Sequence, residues 1–442
     1  MNELINVAKI HRLSENGCVN SAIGVTILKV LTKKVCQFSK ITHLNGGFSL
    51  TYSYLCTMIT LQMMQFTAVV LMLLLTVKLL FLRQWRIKSR YARQARWLMT
   101  GGTMLLALHF ALQLTLGLRL MGVTQSVMLN LTMLIPASYF FARSVLLLQR
   151  RGKLTRLDRW AGPATWMVAM AMLGVAAMTD DRQLLSDTPQ LRMAEKAGAV
   201  LYMLMQGYYT WRHTASLVAM RRALSDYYDR DTDGMLRWMQ YSIIGLMLLA
   251  LMVPMAIFGT GTWLLIIAFA IYFFLFYLVD SFCFYLVSPA PERMEAAEQN
   301  ATEVKAEASR EQATMPSAKG TEEGTDATVL PPEVMNEVEQ AVEAWKTRGG
   351  YRQAGLLHPQ AAQDIGISRY RLTVWLHQHG LKYNEWMAQL RIEEAKRIIS
   401  EHPDWGNDSV AQHCGFTDRS AFQKKFKQKT GLTPAEWAEK GK

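Results

Sequence analysis

The residues with the clearest chemical capacity lie near the carboxyl end, in the stretch "SVAQHCGFTDRSAFQKKFKQKTGLTPAEW", Ser409 to Trp437. Cationic side chains such as Arg419 or Lys424 can donate to guanine O6 and N7, and a carboxamide such as Gln423 can pair with adenine. Lys425, Lys427 and Lys429 suit phosphate oxygens. This is chemistry for reading a duplex groove; the plainer alternative is a solvated lysine-rich helix face. A second set sits among apolar residues: His109 and Gln113 one helical turn apart, with Asn130 and Gln206 elsewhere. Polar groups in such surroundings need partners, so they either line a pocket for a signal ligand or hydrogen-bond one helix to another.

Other chemistries find little support. His377 and His379 lie two apart, the wrong spacing for one helix face, and Cys18, Cys36, Cys56, Cys283 and Cys414 are scattered without a Cys-x-x-Cys pair. That pattern argues against a metal site and against a disulfide framework. No Glu-x-x-His pair or paired carboxylates occur in the apolar segments, so no catalytic residue and no cofactor is expected.

The elements that must position the carboxyl-terminal residues are helices. "PPEVMNEVEQAVEAW" sets Val334, Val338, Val342 and Trp345 at helical spacing. "PQAAQDIGISRYRLTVWLHQHG" places helix formers on both sides of Gly366, and "YNEWMAQLRIEEAKRIISEH" reads as one longer helix. The opening stretch repeats the logic, with Val410 and Cys414 before Gly415, and Phe422 and Phe426 one turn apart after it. Glycine at each bend permits a backbone conformation that a side chain opposes, and small Ala362 and Ala411 let the paired helices approach. Thr433, Pro434 and Glu436 form a helix start of the capping-box type. Two helix-turn-helix units joined by a helix are therefore expected, each with a second helix free to enter a major groove.

The rest of the chain is of a different kind. Of 442 residues 51% are hydrophobic, and the apolar ones crowd between Leu61 and Val287. A bilayer core requires about 20 apolar residues per helical span, and about seven segments qualify. They lie near Leu61–Leu82, Trp97–Leu118, Val123–Leu148, Trp160–Met178, Ala197–Val218, Trp238–Phe258 and Thr262–Val287, the fifth being the weakest because "YYTWRHT" interrupts it. The net charge of +13 is absorbed largely by the connections "RQWRIKSRYARQAR" and "QRRGKLTRLDR", which belong on the cytoplasmic side by the positive-inside bias, as does everything after Val287. Arg212 and Asp280 fall near that interface and are expected to snorkel or pair there.

Two segments are not expected to fold by themselves. Residues 1–57 carry Lys9, Arg12, Lys29, Lys33, Lys34 and Lys40 on what would be the outer side, so they are read as a poorly ordered leader or the product of an upstream start, with Met58, Met63 or Met64 as the working start. Residues 289–331, rich in Ala, Glu, Thr and Ser, are too poor in apolar residues to bury a core and are read as a flexible acidic tether, nascently helical near Met294–Glu311, that does not contact DNA.

The runs "QDIGISRYRLTVWL", "LRIEEAKRII" and "SVAQHCGFTDRSAFQKKFKQKTGLTPAEW" resemble the AraC/XylS-type bacterial DNA-binding domain from about Leu356 to Trp437, under a fifth of the chain. The G-F-x-x-x-S-x-F-x-x-x-F-K pattern with its trailing T-G-x-x-P is specific. The resemblance implies a transcriptional regulator whose two recognition helices enter successive major-groove turns. It implies DNA contacts from Arg369, Tyr370, Thr373 and Val374 upstream, and from Arg419, Ser420, Gln423 and Lys424 downstream, beside the phosphate contacts that side-chain chemistry suggests for Lys425 and Lys427. Val374 stands where many members carry Arg and cannot hydrogen-bond a base edge, so the upstream helix would read thymine methyls and shape through Val374 and Tyr370.

The chain is thus expected to be all-α: a leader (1–57), a seven-helix transmembrane bundle (58–288), a disordered acidic linker (289–331) and a DNA-binding domain of about seven helices (332–442). The function expected is a one-component transcriptional regulator in the bacterial cytoplasmic membrane, its carboxyl-terminal domain in the cytoplasm. Its expected partners are double-stranded promoter DNA, membrane lipid, a second copy of the chain, RNA polymerase if it activates, and an unidentified signal ligand. The rival reading is a membrane transporter or enzyme with a regulatory accessory domain.

Overall fold

The computed structural model describes residues 48–82, 87, 89–117, 123–178, 188–230, 232–258, 263–314 and 330–440. All regular structure among them is helical. The chain divides into two compact units, Met1–Thr67 and Ala68–Lys442. The described part of the first unit is the start of α1 (Phe48–Leu80), so the boundary expected near residue 58 falls inside a helix; residues 1–47 of the expected leader lie outside the described residues.

In the second unit α1 is followed by α2 (Arg90–Leu116), α3 (Val123–Gln149), α4 (Arg156–Met178), α5 (Pro189–Ser225), α6 (Asp233–Phe258) and α7 (Trp263–Val287). A helix covers each of the seven expected spans. Five stretches, Gln62–Leu80, Arg90–Leu116, Ser126–Gln149, Arg156–Met178 and Ile266–Val287, are long and apolar enough to cross a membrane, judged on the described residues. α6 is not among them, and neither is α5. Its 37 residues span about 55 Å at 1.5 Å per residue, and Arg192, Glu195, Lys196 and Arg212 interrupt its apolar character.

Met99, Leu131, Ile135, Leu146, Tyr209 and Phe282 fill the bundle core. Close approach depends on glycine at two crossings. A Cβ on Gly162 would stand 2.2 Å from the Tyr139 ring, and one on Gly245 would stand 2.0 Å from the Phe274 ring. The outward faces are apolar as well: Leu74, Val175, Leu204, Leu248, Phe269 and Phe273 are all exposed. Helices apolar on both inner and outer faces need an apolar surround.

One end of the bundle gathers the basic α3–α4 link and the arginine-bearing start of α2. Gly152, in the link between α3 and α4, packs on Tyr91 at the start of α2. Neighbouring Arg151 donates to Glu298 at 2.7 Å and lies 3.3 Å from Glu295. Both glutamates belong to α8 (Ala290–Thr314), a helix that takes in the nascent helix expected near Met294–Glu311 and is docked along its length where a flexible tether was expected. Its apolar residues are few but periodic: Ala290, Met294 and Ala297 are buried on one stripe that docks against the bundle, and Ala308 packs on the carboxyl-terminal core. Composition alone is a poor guide to disorder here, because the helix borrows cores built by other segments. Residues 315–329 of the expected linker lie outside the described residues.

The carboxyl-terminal region comprises α9 (Pro332–Thr347), α10 (His358–Ile365), α11 (Arg369–Gln378), α12 (Tyr383–Glu401), α13 (Asn407–His413), α14 (Arg419–Thr430) and α15 (Pro434–Lys440). Two small cores are strung along α12. The first stacks Trp345 on Trp386 with Val338, Val342, Leu372 and Leu376; the second joins Ile392 and Ile398 to Cys414, Phe422 and Phe426. The region is seated on the basic end of the bundle through the α5–α6 connection. There His358 donates its amide to the Tyr227 carbonyl at 3.0 Å, and Arg391 donates to Asp229 at 2.8 Å.

Candidate nucleic-acid interface

Each helix-turn-helix unit is built as its glycine requires. α10 ends at Gly366 with φ 89° and α13 is followed by Gly415 with φ 82°, both in the left-handed region that side chains oppose. Ala362 and Ala411 are buried, each in the same core as apolar residues of its unit's second helix. α11 is capped by Ser368, whose hydroxyl accepts from the Arg371 amide at 3.2 Å, and α14 by Asp418, which accepts from the Ala421 amide at 2.7 Å. Behind α14, Thr433 and Glu436 exchange the expected capping-box bonds, at 2.7 Å and 3.3 Å, and those bonds hold the Glu436 carboxyl below its ordinary range.

The downstream helix presents its polar side chains outward. Arg419, Ser420, Lys424 and Lys427 are exposed and Gln423 is half-buried, while Phe422 and Phe426 are fully buried on the opposite face. An open groove of about 750 Å³ is lined by Asn407, Ser420, Gln423, Lys424, Lys427 and Gln428. Arg419 lies 3.5 Å from Asp408, an exposed pair worth little and easily exchanged for another anion. Lys425 is half-buried at the edge of this face. With Lys424 it lines a second cleft of about 500 Å³, shared with Arg230, Arg237 and Arg293 at the bundle end.

The upstream helix is not presented this way. Tyr370 is 6% and Val374 1% exposed, both within the first carboxyl-terminal core. The expected reading of thymine methyls and shape by these two side chains is therefore corrected: neither is open to a base edge in this structure. Their stripe and the Leu372–Leu376 stripe are both buried, so the helix has apolar cover on two sides. The Thr373 hydroxyl donates to the Arg369 carbonyl at 2.9 Å and lies 3.3 Å from His358 Nε2. Arg369 is ion-paired with Glu303 and lies 3.8 Å from Glu307.

Charges behind the interface are firmly held. The Arg397 guanidinium, with Arg352 at 2.6 Å, keeps the Glu394 carboxyl below its ordinary range. Burial pushes the His358 imidazole down to about 4 and the Cys414 thiol up to about 12. Cys414 is thus an inert core group, and adjacent His413 is exposed.

Among the described residues, the polar side chains considered for a signal pocket do not converge on one site. Gln113 donates to Asn130 at 3.1 Å and to Ser126 at 3.3 Å, linking α2 to α3, with His109 buried one turn away. Gln206 instead donates to the Tyr202 hydroxyl at 3.2 Å, which meets Ser138 at 2.7 Å. Direct bonds between helices fit the plainer of the two sequence readings. Arg212 and Asp280 do pair: Arg212 grips Asp158 through two bonds of 2.7 Å, and Asp280 pairs with Lys78. Sequence reasoning missed Asp229, which looks like one acid among several in a loop. It also missed the row Glu303, Glu307 and Glu311, although its four-residue spacing marks one helix face.

Comparison with known proteins agrees with this geometry in the carboxyl-terminal region. Residues 361–440 match the family described as a helix-turn-helix domain. An uncharacterized HTH-type transcriptional regulator, YpdC, of Escherichia coli is 31% identical over 84 residues, 19% of this chain and 29% of that protein. The HTH-type transcriptional activator RhaR of Klebsiella pneumoniae is 28% identical over 80 residues, 18% of this chain and 28% of that protein. The chain spans under a third of the length of these relatives. No solved structure matches it. The carboxyl-terminal region is a helix-turn-helix domain of the kind found in DNA-binding transcriptional regulators.

Proposed function

We propose that this chain is a membrane-anchored one-component transcriptional regulator that binds promoter DNA through its two helix-turn-helix units, and that it is not an enzyme. The observation that carries this reading is one continuous arrangement: a helix-turn-helix domain seated on the basic end of a bundle whose outer helix faces are apolar. Exposed Trp160 and Trp211 flank the Asp158–Arg212 pair, as aromatic residues do at a membrane interface. The basic connections and the carboxyl-terminal domain share one end, so the positive-inside bias puts both in the cytoplasm. Arg419, Gln423 and Lys424 are assigned to base edges and Lys427 to phosphate; a signal acts by favouring one of two bundle states. Lipid surrounds the bundle, a second copy supplies the other half-site, RNA polymerase is recruited if the protein activates, and the signal ligand is not identified.

The test is selection of DNA from a random pool by the full chain in lipid nanodiscs, at two salt concentrations because phosphate contacts make affinity salt-dependent. An enriched motif is expected. Recovery of unenriched sequence at both salts, or removal of the carboxyl-terminal domain by protease added outside intact cells, would overturn the reading.

A further inference from the structure

The row of glutamates on α8 meets the helix that should read the upstream half of the DNA site. Glu303 pairs with Arg369; Glu307 accepts from the Tyr370 amide at 3.1 Å and lies 3.8 Å from Arg369; Glu311 accepts from Ser368 and, at 3.0 Å, from Arg371. Spaced four residues apart, these carboxylates stand about 6 Å from one another along one face. Their partners are two arginines, a capping hydroxyl and a first-turn amide at the positive end of the helix dipole. Such a set binds anions, and in a DNA complex the anion is a phosphate. The carboxylates occupy that place already.

Resting on the reading of the chain as a DNA-binding regulator, we propose that α8 is a built-in competitor for DNA: its Glu303–Glu307–Glu311 face takes the place of backbone phosphates on the upstream unit and holds it shut. DNA can engage α11 only when α8 leaves. Several features make the contact reversible. Arg369 and Arg371 are only partly buried, and ion pairs that keep access to water are individually weak, so one phosphate can replace one carboxylate at a time. The link to the bundle is short. α7 ends at Val287 and α8 begins at Ala290; the Ser288 amide still donates to the Phe284 carbonyl of α7 at 3.1 Å, and the Arg293 amide already donates to the Pro289 carbonyl at 3.1 Å in the first turn of α8. A shift of α7 therefore moves the glutamate row, which gives a signal in the bundle a direct route to the recognition helix. It also explains why α8 is acidic where a DNA-contacting arm would be basic.

The experiment compares DNA affinity of the full chain in nanodiscs for the wild type, the variant Glu303→Gln, Glu307→Gln, Glu311→Gln, and a control carrying Glu333→Gln, Asp404→Asn and Glu439→Gln, which removes three exposed carboxylates away from the contact. The first variant is expected to bind the selected DNA at least tenfold more tightly than wild type, with the control unchanged within twofold. Glu307→Gln alone should gain part of that increase and guards against misfolding of the triple variant. Wild-type affinity in the triple and single variants, or an equal gain in the control, overturns the competitor while leaving DNA binding intact. No specific binding by any of the proteins overturns the DNA-binding reading and the competitor with it.

Discussion

Arg391, midway along the helix that joins the two helix-turn-helix units, donates to Asp229 in the α5–α6 connection at 2.8 Å, and side-chain exposures are 3% and 1%. The same guanidinium also donates to the Tyr351 carbonyl at 2.9 Å and to the Gln353 carbonyl at 2.8 Å. Removing one partner of a buried pair strands the other charge, which costs about 3–5 kcal/mol. Asp229→Ala is expected to loosen the seating of the DNA-binding domain by the lower end of that range, because two carbonyls still hold Arg391. Amide hydrogen exchange over α12 should rise in the variant while exchange within the bundle core stays as in wild type.

His358, whose ring lies against Tyr383 and Thr373, makes folding of the carboxyl-terminal region sensitive to acid. Burial lowers its pKa from 6.5 to about 4 in the folded chain. Between those values the unfolded chain takes up a proton that the folded chain does not. The stabilisation is therefore complete above pH 6.5 and is lost as pH falls toward 4, to a total of about 3 kcal/mol. Amide exchange over α12 from pH 7 to 4.5, corrected for the intrinsic exchange rate, is expected to show this decline in wild type and a shallower one in His358→Gln.

The two hinge glycines are predicted to differ. Both have positive φ, but a Cβ on Gly366 meets nothing within 4 Å, whereas one on Gly415 would stand 2.4 Å from the Arg352 carbonyl oxygen. Gly366→Ala should cost about 1 kcal/mol, the backbone term alone. Gly415→Ala should cost at least twice as much, since backbone atoms cannot give way as side-chain ends do. Denaturant midpoints of the two variants, followed through the carboxyl-terminal domain, give the comparison.

On the DNA side, Arg419→Ala should weaken binding to the selected site by about 1–3 kcal/mol and relax preference at one base position. Lys427→Ala should weaken binding to all sequences alike and reduce the salt slope by about 1. Binding isotherms on the selected site and a scrambled duplex at several salt concentrations distinguish the two roles. Identical behaviour of the variants would remove the division between base and phosphate contacts on α14.

Features that depend on neighbours in the chain were legible without a structure. The apolar runs, the helix pairs hinged at Gly366 and Gly415, the core positions Phe422 and Phe426, and the cap formed by Thr433 and Glu436 all follow from spacing within a few residues. The polar face of α14 follows in the same way, because burial of Phe422 and Phe426 leaves Arg419, Lys424 and Lys427 facing solvent. Tertiary structure alone decided what meets α11. Tyr370 and Val374 look like groove-facing residues until other segments cover them, and residues 290–314 look like a loose tether until their alanine stripe finds the bundle and their glutamates find Arg369 and Arg371. Asp229 and Arg391 stand 162 positions apart. Periodicity reports which face of a helix is apolar, but the partner that covers that face, or the charge that neutralises it, is settled only when distant segments are packed together.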